Sequence, residues 1–172
     1  MIGKRVFIFG AENIAAEFAK ELAKNLKDVK FDKVFCSPLS RTKQTCEIIL
    51  GSLDGVIFDE RIIERDFGEF EGKTANELEL NPDFKAWAAG KLSAPKDGED
   101  NSEFIKRLCL GLNEIVIDML NNDIENAGVI MHGGAIMMLL SACAVPQRRS
   151  VEWNCDAGQG YSLLVTPSLY HK

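Results

Sequence analysis

A chain of 172 residues, 46% apolar and 27% charged, is long enough to bury a full core without disulfide or metal staples. Its net charge of -6 with no basic stripe excludes a nucleic-acid binder, and any anion it holds needs positive charge gathered locally. Met1–Ala19, broken by Glu12 and Glu17, reads as no signal peptide, and the longest apolar run, Val129–Val145, is short for a membrane span and carries His132, Gly133 and Gly134. The five cysteines, an odd number with no CxxC pair, point to reduced thiols in a cytoplasmic setting and against a zinc site.

In chain order, Arg5–Phe9 is predicted as a buried strand and Asn13–Leu26 as a helix with Ile14, Phe18, Leu22 and Leu26 on one face. Lys33–Cys36 is a second strand, followed by a helix over Leu39–Leu50 that Pro38 opens. Gly55–Phe58 is a short strand, and residues 60–72 form an irregular segment rich in charge and glycine. Short helical pieces joined by Pro82 and Pro95 make a small cap at about 73–100. Asp100–Asn122 is a long amphipathic helix with Phe104, Leu108, Leu112, Ile115 and Met119 inward. Val129–Met131 is a strand running into a helix through His132-Gly133-Gly134, and Val151–Asn154 and Ser162–Val165 are closing strands, with the stretch Asn154–Tyr161 making a glycine-rich turn between them. This order predicts one α/β domain over 1–172, a three-layer sandwich with a mostly parallel central sheet flanked by helices. Ligands of such sheets sit at the carboxyl ends of the strands, so the loops after Phe9, Cys36, Phe58 and Met131 are where a site belongs.

Three of those loops hold chemistry. Ser37-Pro38-Leu39-Ser40-Arg41 places Arg41 in the first turn of a helix, where its guanidinium joins free backbone N–H groups and the positive helix end, a setting for an anion such as phosphate. Taken alone, an arginine there is more often a solvated side chain. Glu64-Arg65-Asp66-Phe67-Gly68-Glu69-Phe70-Glu71-Gly72 offers several carboxylates, one of which among apolar neighbours would have a raised pKa and donate a proton; the plainer reading is an exposed acidic loop. His132, at a strand's carboxyl end before two glycines, is placed to touch an anion, or else is a satisfied core histidine.

Together these segments resemble the histidine phosphatase (phosphoglycerate mutase-like) superfamily. The segment from Ser37 to Thr45 is similar to its second motif, that from Glu64 to Gly72 to its acid motif, and Val129-Ile130-Met131-His132-Gly133-Gly134 to its closing motif. Phe84, Trp87, Pro95, Asp97-Gly98-Glu99 and Arg107 resemble its lid and the helix that follows. The resemblance implies phosphoryl transfer through a phosphohistidine without metal or other cofactor. It would make Arg41 a phosphate clamp, Glu64 the general acid/base and His132 a donor to phosphoryl oxygens, with Gly133 beside it in the anion site.

The match fails at the start. The positions of the family's Arg-His-Gly motif read Ile8-Phe9-Gly10, and the loop that normally follows is absent. Only two histidines exist, His132 and His171. Cys36 does not replace the nucleophile, since four residues separate it from Arg41 where a cysteine phosphatase needs five. The expected function is therefore a remnant anion pocket for a small phosphorylated or anionic ligand, without a working phosphohistidine. A repurposed enzyme using Glu64 and His132 as an acid/base pair, or a weak phosphomonoesterase, remains open. So does a nucleotide-binding module built on Val6–Ala15, although Glu12 stands where pyrophosphate would need a glycine. No membrane partner is expected; a protein partner or homo-oligomer is left open.

Overall fold

The computed structural model describes residues 3–11, 16–154 and 159–166. A five-stranded sheet has the order β3-β2-β4-β1-β5. β1 (Arg5–Gly10), β2 (Lys33–Cys36), β3 (Ile57–Phe58) and β4 (Asn126–Met131) are parallel, and β5 (Gly160–Leu164) runs antiparallel to β1 at one edge. Both faces of the central strands are covered, which is why they read as near-continuous apolar runs. Val6, Ile8, Val129 and Met131 point to the face covered by α5 (Asn101–Asn121) and α6 (Gly133–Cys143), where Phe104, Leu108, Ile115, Ile136 and Leu140 complete one core cluster. Phe9, Val34, Cys36 and Ile130 point to the other face, against Leu22 of α1 (Ala16–Asn25) and Cys46 of α2 (Ser40–Leu50). Period-two alternation in the strands thus divides the core between two helix layers.

The irregular segment contains 3-10 turns at Glu60–Ile62 and Gly68–Phe70, followed by α3 (Ala75–Leu80) and α4 (Pro82–Ala88). α3 opens on a Thr74–Glu77 capping box, and the Asn81 side chain caps α4. Phe67, Phe70, Phe84 and Trp87 join these elements in one aromatic cluster, with ring centroids 5.4–6.0 Å apart.

The predicted strand Val151–Asn154 is corrected to a 3-10 turn over Ser150–Trp153. The Arg149 and Glu152 pair closes this turn, burying Trp153 and leaving Val151 exposed. Three residues with an apolar position at each end fit one helical turn as well as a strand, so periodicity alone does not separate the two. β3 is shorter than the expected Gly55–Phe58, and β1 runs one residue beyond Phe9. Asn13, Ile14, the Cys155–Gly158 part of the glycine-rich turn and His171 lie outside the described residues. No helix among the described residues is long and apolar enough to cross a membrane.

Gly160 opens β5 opposite Phe9, where an added Cβ would overlap the Ile8 carbonyl oxygen and lie 2.7 Å from the Phe9 ring. Gly160→Ala is expected to lower stability by about 1–3 kcal/mol in urea unfolding, with the m-value kept. An unchanged midpoint would show that the β1–β5 pairing is looser than described.

Candidate functional site

The three loops converge at the carboxyl end of β4. His132 is the N-cap of α6 in extended conformation, and its ring makes no capping bond to the helix. The ring is 1% exposed and faces the β2–α2 loop. Arg41 Nε donates to His132 Nδ1 at 3.3 Å, and His132 Nε2 lies 2.8 Å from the Ser37 hydroxyl. A guanidinium can only donate, so Nδ1 is the acceptor and the single proton of a neutral ring sits on Nε2, directed at Ser37. In this tautomer His132 donates to Ser37 rather than acting as a base toward it. The ring's pKa is pushed down to about 4, chiefly by burial and then by the Arg41 charge; a hydrogen bond with the Ala11 backbone opposes this, and Arg107 adds a smaller push.

Arg41 is held where the sequence placed it, in the first turn of α2. That helix has no side-chain cap; instead Thr42 Oγ1 lies 2.7 Å from the carbonyls of both Ser37 and Leu39, tightening the turn from which Arg41 reaches out. Ser37 N donates to Ile130 O at 2.9 Å, which fastens the loop to β4.

Glu64 reaches the same helix end from the opposite side. Its carboxylate accepts from Gly134 N at 3.2 Å and from Arg65 N at 2.9 Å. An added Cβ at Gly134 would lie 3.0 Å from both carboxylate oxygens, so the carboxylate rests against the bare α-carbon. Both of these donors are main-chain N–H groups. Gly133 N faces β1, 3.5 Å from where a Cβ of Gly10 would stand.

Two groups that sequence reasoning left without a function fix the position of Glu64. Arg107 on α5 makes a two-pronged bond to Glu99 at 2.8 Å on each arm, and its Nη1 donates to the carbonyls of Arg61 and Ile63 at 2.9 Å. Glu99 in turn donates its N–H to Asp66 O, and its own carbonyl accepts from Arg65 Nη2 at 2.9 Å. The chain is thus pinned on both sides of Glu64. The sequence sign was the likeness of Asp97-Gly98-Glu99 and Arg107 to the family's lid and following helix, which gave them no role. Arg65 is itself buried, with its guanidinium 5.1 Å from the Trp87 ring centroid and 5.4 Å from that of Phe104.

At the end of β1, Ile8 points into the α5–α6 core, Phe9 packs edge-on to Phe31 on the other face, and Ala11 is fully buried with its N–H on Met131 O. Cys36 is buried against Cys46; their hydrogen bond, followed by burial, holds the Cys36 thiol far above its ordinary pKa and protonated. A cavity of about 830 Å³ lies elsewhere, between β5 and α5–α6, lined by Cys109, Leu112, Val116, Cys143, Trp153 and Leu163; neither Arg41, Glu64 nor His132 borders it.

Residues 15–166 match the family described as the histidine phosphatase superfamily (branch 1). A broad-specificity phosphatase of Saccharomyces cerevisiae is 31% identical over 118 residues, covering 66% of this chain and 50% of that protein. The chain spans 50% and 62% of the lengths of two curated relatives at that identity. An alpha-ribazole phosphatase from Shigella flexneri superposes with a TM-score of 0.78 at 22% identity, over 95% of this chain and 91% of that one. A phosphoserine phosphatase from Entamoeba histolytica, solved with 3-phosphoglyceric acid, gives 0.71 at 19% identity, over 93% and 89%.

His132 charges in the unfolded chain near its ordinary pKa of 6.5 but in the folded one only near about 4. The unfolded state therefore binds the extra proton between those values, and stability present above the upper one is lost as pH falls toward the lower. The stability advantage of the wild type over His132→Gln in urea unfolding is expected to shrink by roughly 3 kcal/mol between neutral pH and pH 4. A constant difference would mean that the ring titrates normally.

Proposed function

The chain belongs to the histidine phosphatase superfamily, and on that premise we propose that it keeps an anion pocket at Arg41, His132, Gly133 and Glu64 but works without a phosphohistidine. The observation that carries this reading is the end of β1. Ile8, Phe9, Gly10 and Ala11, beside His132, offer no nucleophilic side chain. The chain's two histidines are His132, engaged with Arg41 and Ser37, and His171 near the C-terminus.

The pocket then works by binding. Arg41 supplies a permanent charge and a planar fork of donors, the first turn of α6 adds its positive end, and neutral His132 is a polar neighbour that needs no counter-charge. The ligand class is a small phosphorylated or otherwise anionic molecule, held under a small cap formed by α3 and α4 within one domain. The compartment that fits the free thiols among the described residues, Cys36 and Cys46 buried and Cys109 and Cys143 half-buried, is the cytoplasm.

The test is phosphate release from a panel of phosphomonoesters, together with acid-labile phosphoprotein and ligand affinity. The wild type, Glu64→Gln, His132→Ala and Arg41→Met are to be compared. No phosphohistidine and no turnover are expected from any of them, with binding weakened about tenfold or more in Arg41→Met. Turnover by the wild type that disappears in both Glu64→Gln and His132→Ala would overturn the proposal and establish direct attack by water or by an unrecognised nucleophile.

A further inference from the structure

We infer that two copies of this chain associate through β5, pairing their free strand edges about a two-fold axis at Ser162 so that the two sheets become one.

β5 is an edge strand. It pairs with β1, and no other strand among the described residues lies beside it. Val165 N donates to Lys4 O and Gly10 N to Gln159 O, so the odd-numbered residues of this stretch direct their backbone groups at β1. Gly160, Ser162 and Leu164 alternate with them, and their N–H and C=O groups therefore point away from the sheet. An open edge is ordinarily blunted by lysine, proline, an inward-pointing charge or a bulge. None of these stands here. Gly160-Tyr161-Ser162-Leu163-Leu164-Val165 is uncharged and free of proline, and its register with β1 is unbroken from Gly160 to Leu164.

The surroundings of the edge are apolar. The cavity of about 830 Å³ between β5 and α5–α6 is lined by every residue from Tyr161 to Thr166. Successive side chains of a strand lie on opposite faces, so a cavity bordered by consecutive residues reaches the free edge itself. No charged side chain lines it. Two of its lining residues are among the exposed apolar side chains, Val145 at 74% and Leu164 at 49%.

A second copy fits this edge because the edge is complementary to itself. In an antiparallel pair centred on Ser162, each outward-facing residue meets another: Ser162 its own counterpart, and Gly160 the Leu164 of the other copy. Each opposed pair exchanges two backbone hydrogen bonds, so the outward groups of all three residues are satisfied. Directly opposite residues share a face, so the exposed Leu164 of each copy lies over a residue that has no side chain of its own. The two-fold arrangement uses up the β5 edge of both copies and stops at a dimer. So short a ladder buries less than the roughly 1,200 Å² of a standard interface, which sets the expected dissociation constant at about 1–100 μM.

Sedimentation equilibrium of the full chain under reducing conditions, from about 1 μM to about 1 mM, tests this together with amide hydrogen exchange at both ends of the range. A monomer–dimer equilibrium is expected, with the Ser162 and Leu164 amides protected at high concentration and exchanging freely at low. Leu164→Lys puts a charge on the edge, and Ser162→Pro removes the central outward N–H without removing a bond to β1. Each is expected to weaken dimerisation by about tenfold or more. Leu80→Lys, at another exposed leucine on α3, is expected to leave it unchanged. Thermal unfolding checks that the variants fold, and either edge variant suffices should the other not. A wild type that stays monomeric throughout, a dimer that survives the edge substitutions, or protection at these amides that does not change with concentration would overturn the inference.

Discussion

The arrangement at the end of β4 depends on one buried imidazole. His132 sits where a parallel strand hands over to a helix, and its two nitrogens are used by two different neighbours, Arg41 and Ser37. Both belong to the loop that follows β2, the strand next to β4 in the sheet. The pairing of two parallel strands thus becomes the pairing of a cation with a neutral ring. The ring is kept uncharged by burial and by the arginine itself, so His132 adds no further positive charge beside the guanidinium. A protonated histidine there would repel Arg41 and expel it from the helix end.

The acid side is built by a separate device. Gly68 has a positive φ of 52°, and a Cβ there would overlap the Lys96 carbonyl and the Gly98 amide. Only glycine lets the 65–69 and 96–99 segments approach so closely. That contact brings Glu99 within reach of Arg65 and Arg107, and the Arg107 guanidinium then anchors Arg61 and Ile63. The Glu64 carboxylate is placed by this frame on α5 and by Gly134, in the same first turn of α6 that His132 caps. The two halves of the site thus meet at that turn, although another part of it, the end of β1, offers no nucleophile.

Much of the fold was legible because its strands are buried on both faces and its helices carry clean apolar stripes. Lys33–Cys36 and the long helix through Phe104, Leu108, Ile115 and Met119 stand where the pattern put them. The pattern failed at Val151–Trp153, where a single turn and a strand share the same alternation. At the site, Arg41, Glu64 and His132 were found through the order of their motifs, and the structure brings all three to one helix end. The two main-chain donors that Glu64 accepts from, Gly134 N and Arg65 N, were not legible, because a sequence does not display backbone amides. Ser37 as the partner of His132 and Arg107 as the anchor of Glu64 depend on contacts across 95 and up to 46 residues of chain, which no local spacing encodes.

An amide and side-chain NMR titration with phosphoethanolamine would locate the binding site residue by residue. Shifts are expected at Gly133 and Gly134 N–H and at Arg41 Nε, while the His132 ring keeps the signature of a neutral imidazole protonated on Nε2. Shifts gathered instead around Cys109, Cys143 and Trp153, in the apolar cavity beside β5, or a His132 ring that takes up a proton or a phosphoryl group, would contradict an anion pocket that works without a phosphohistidine.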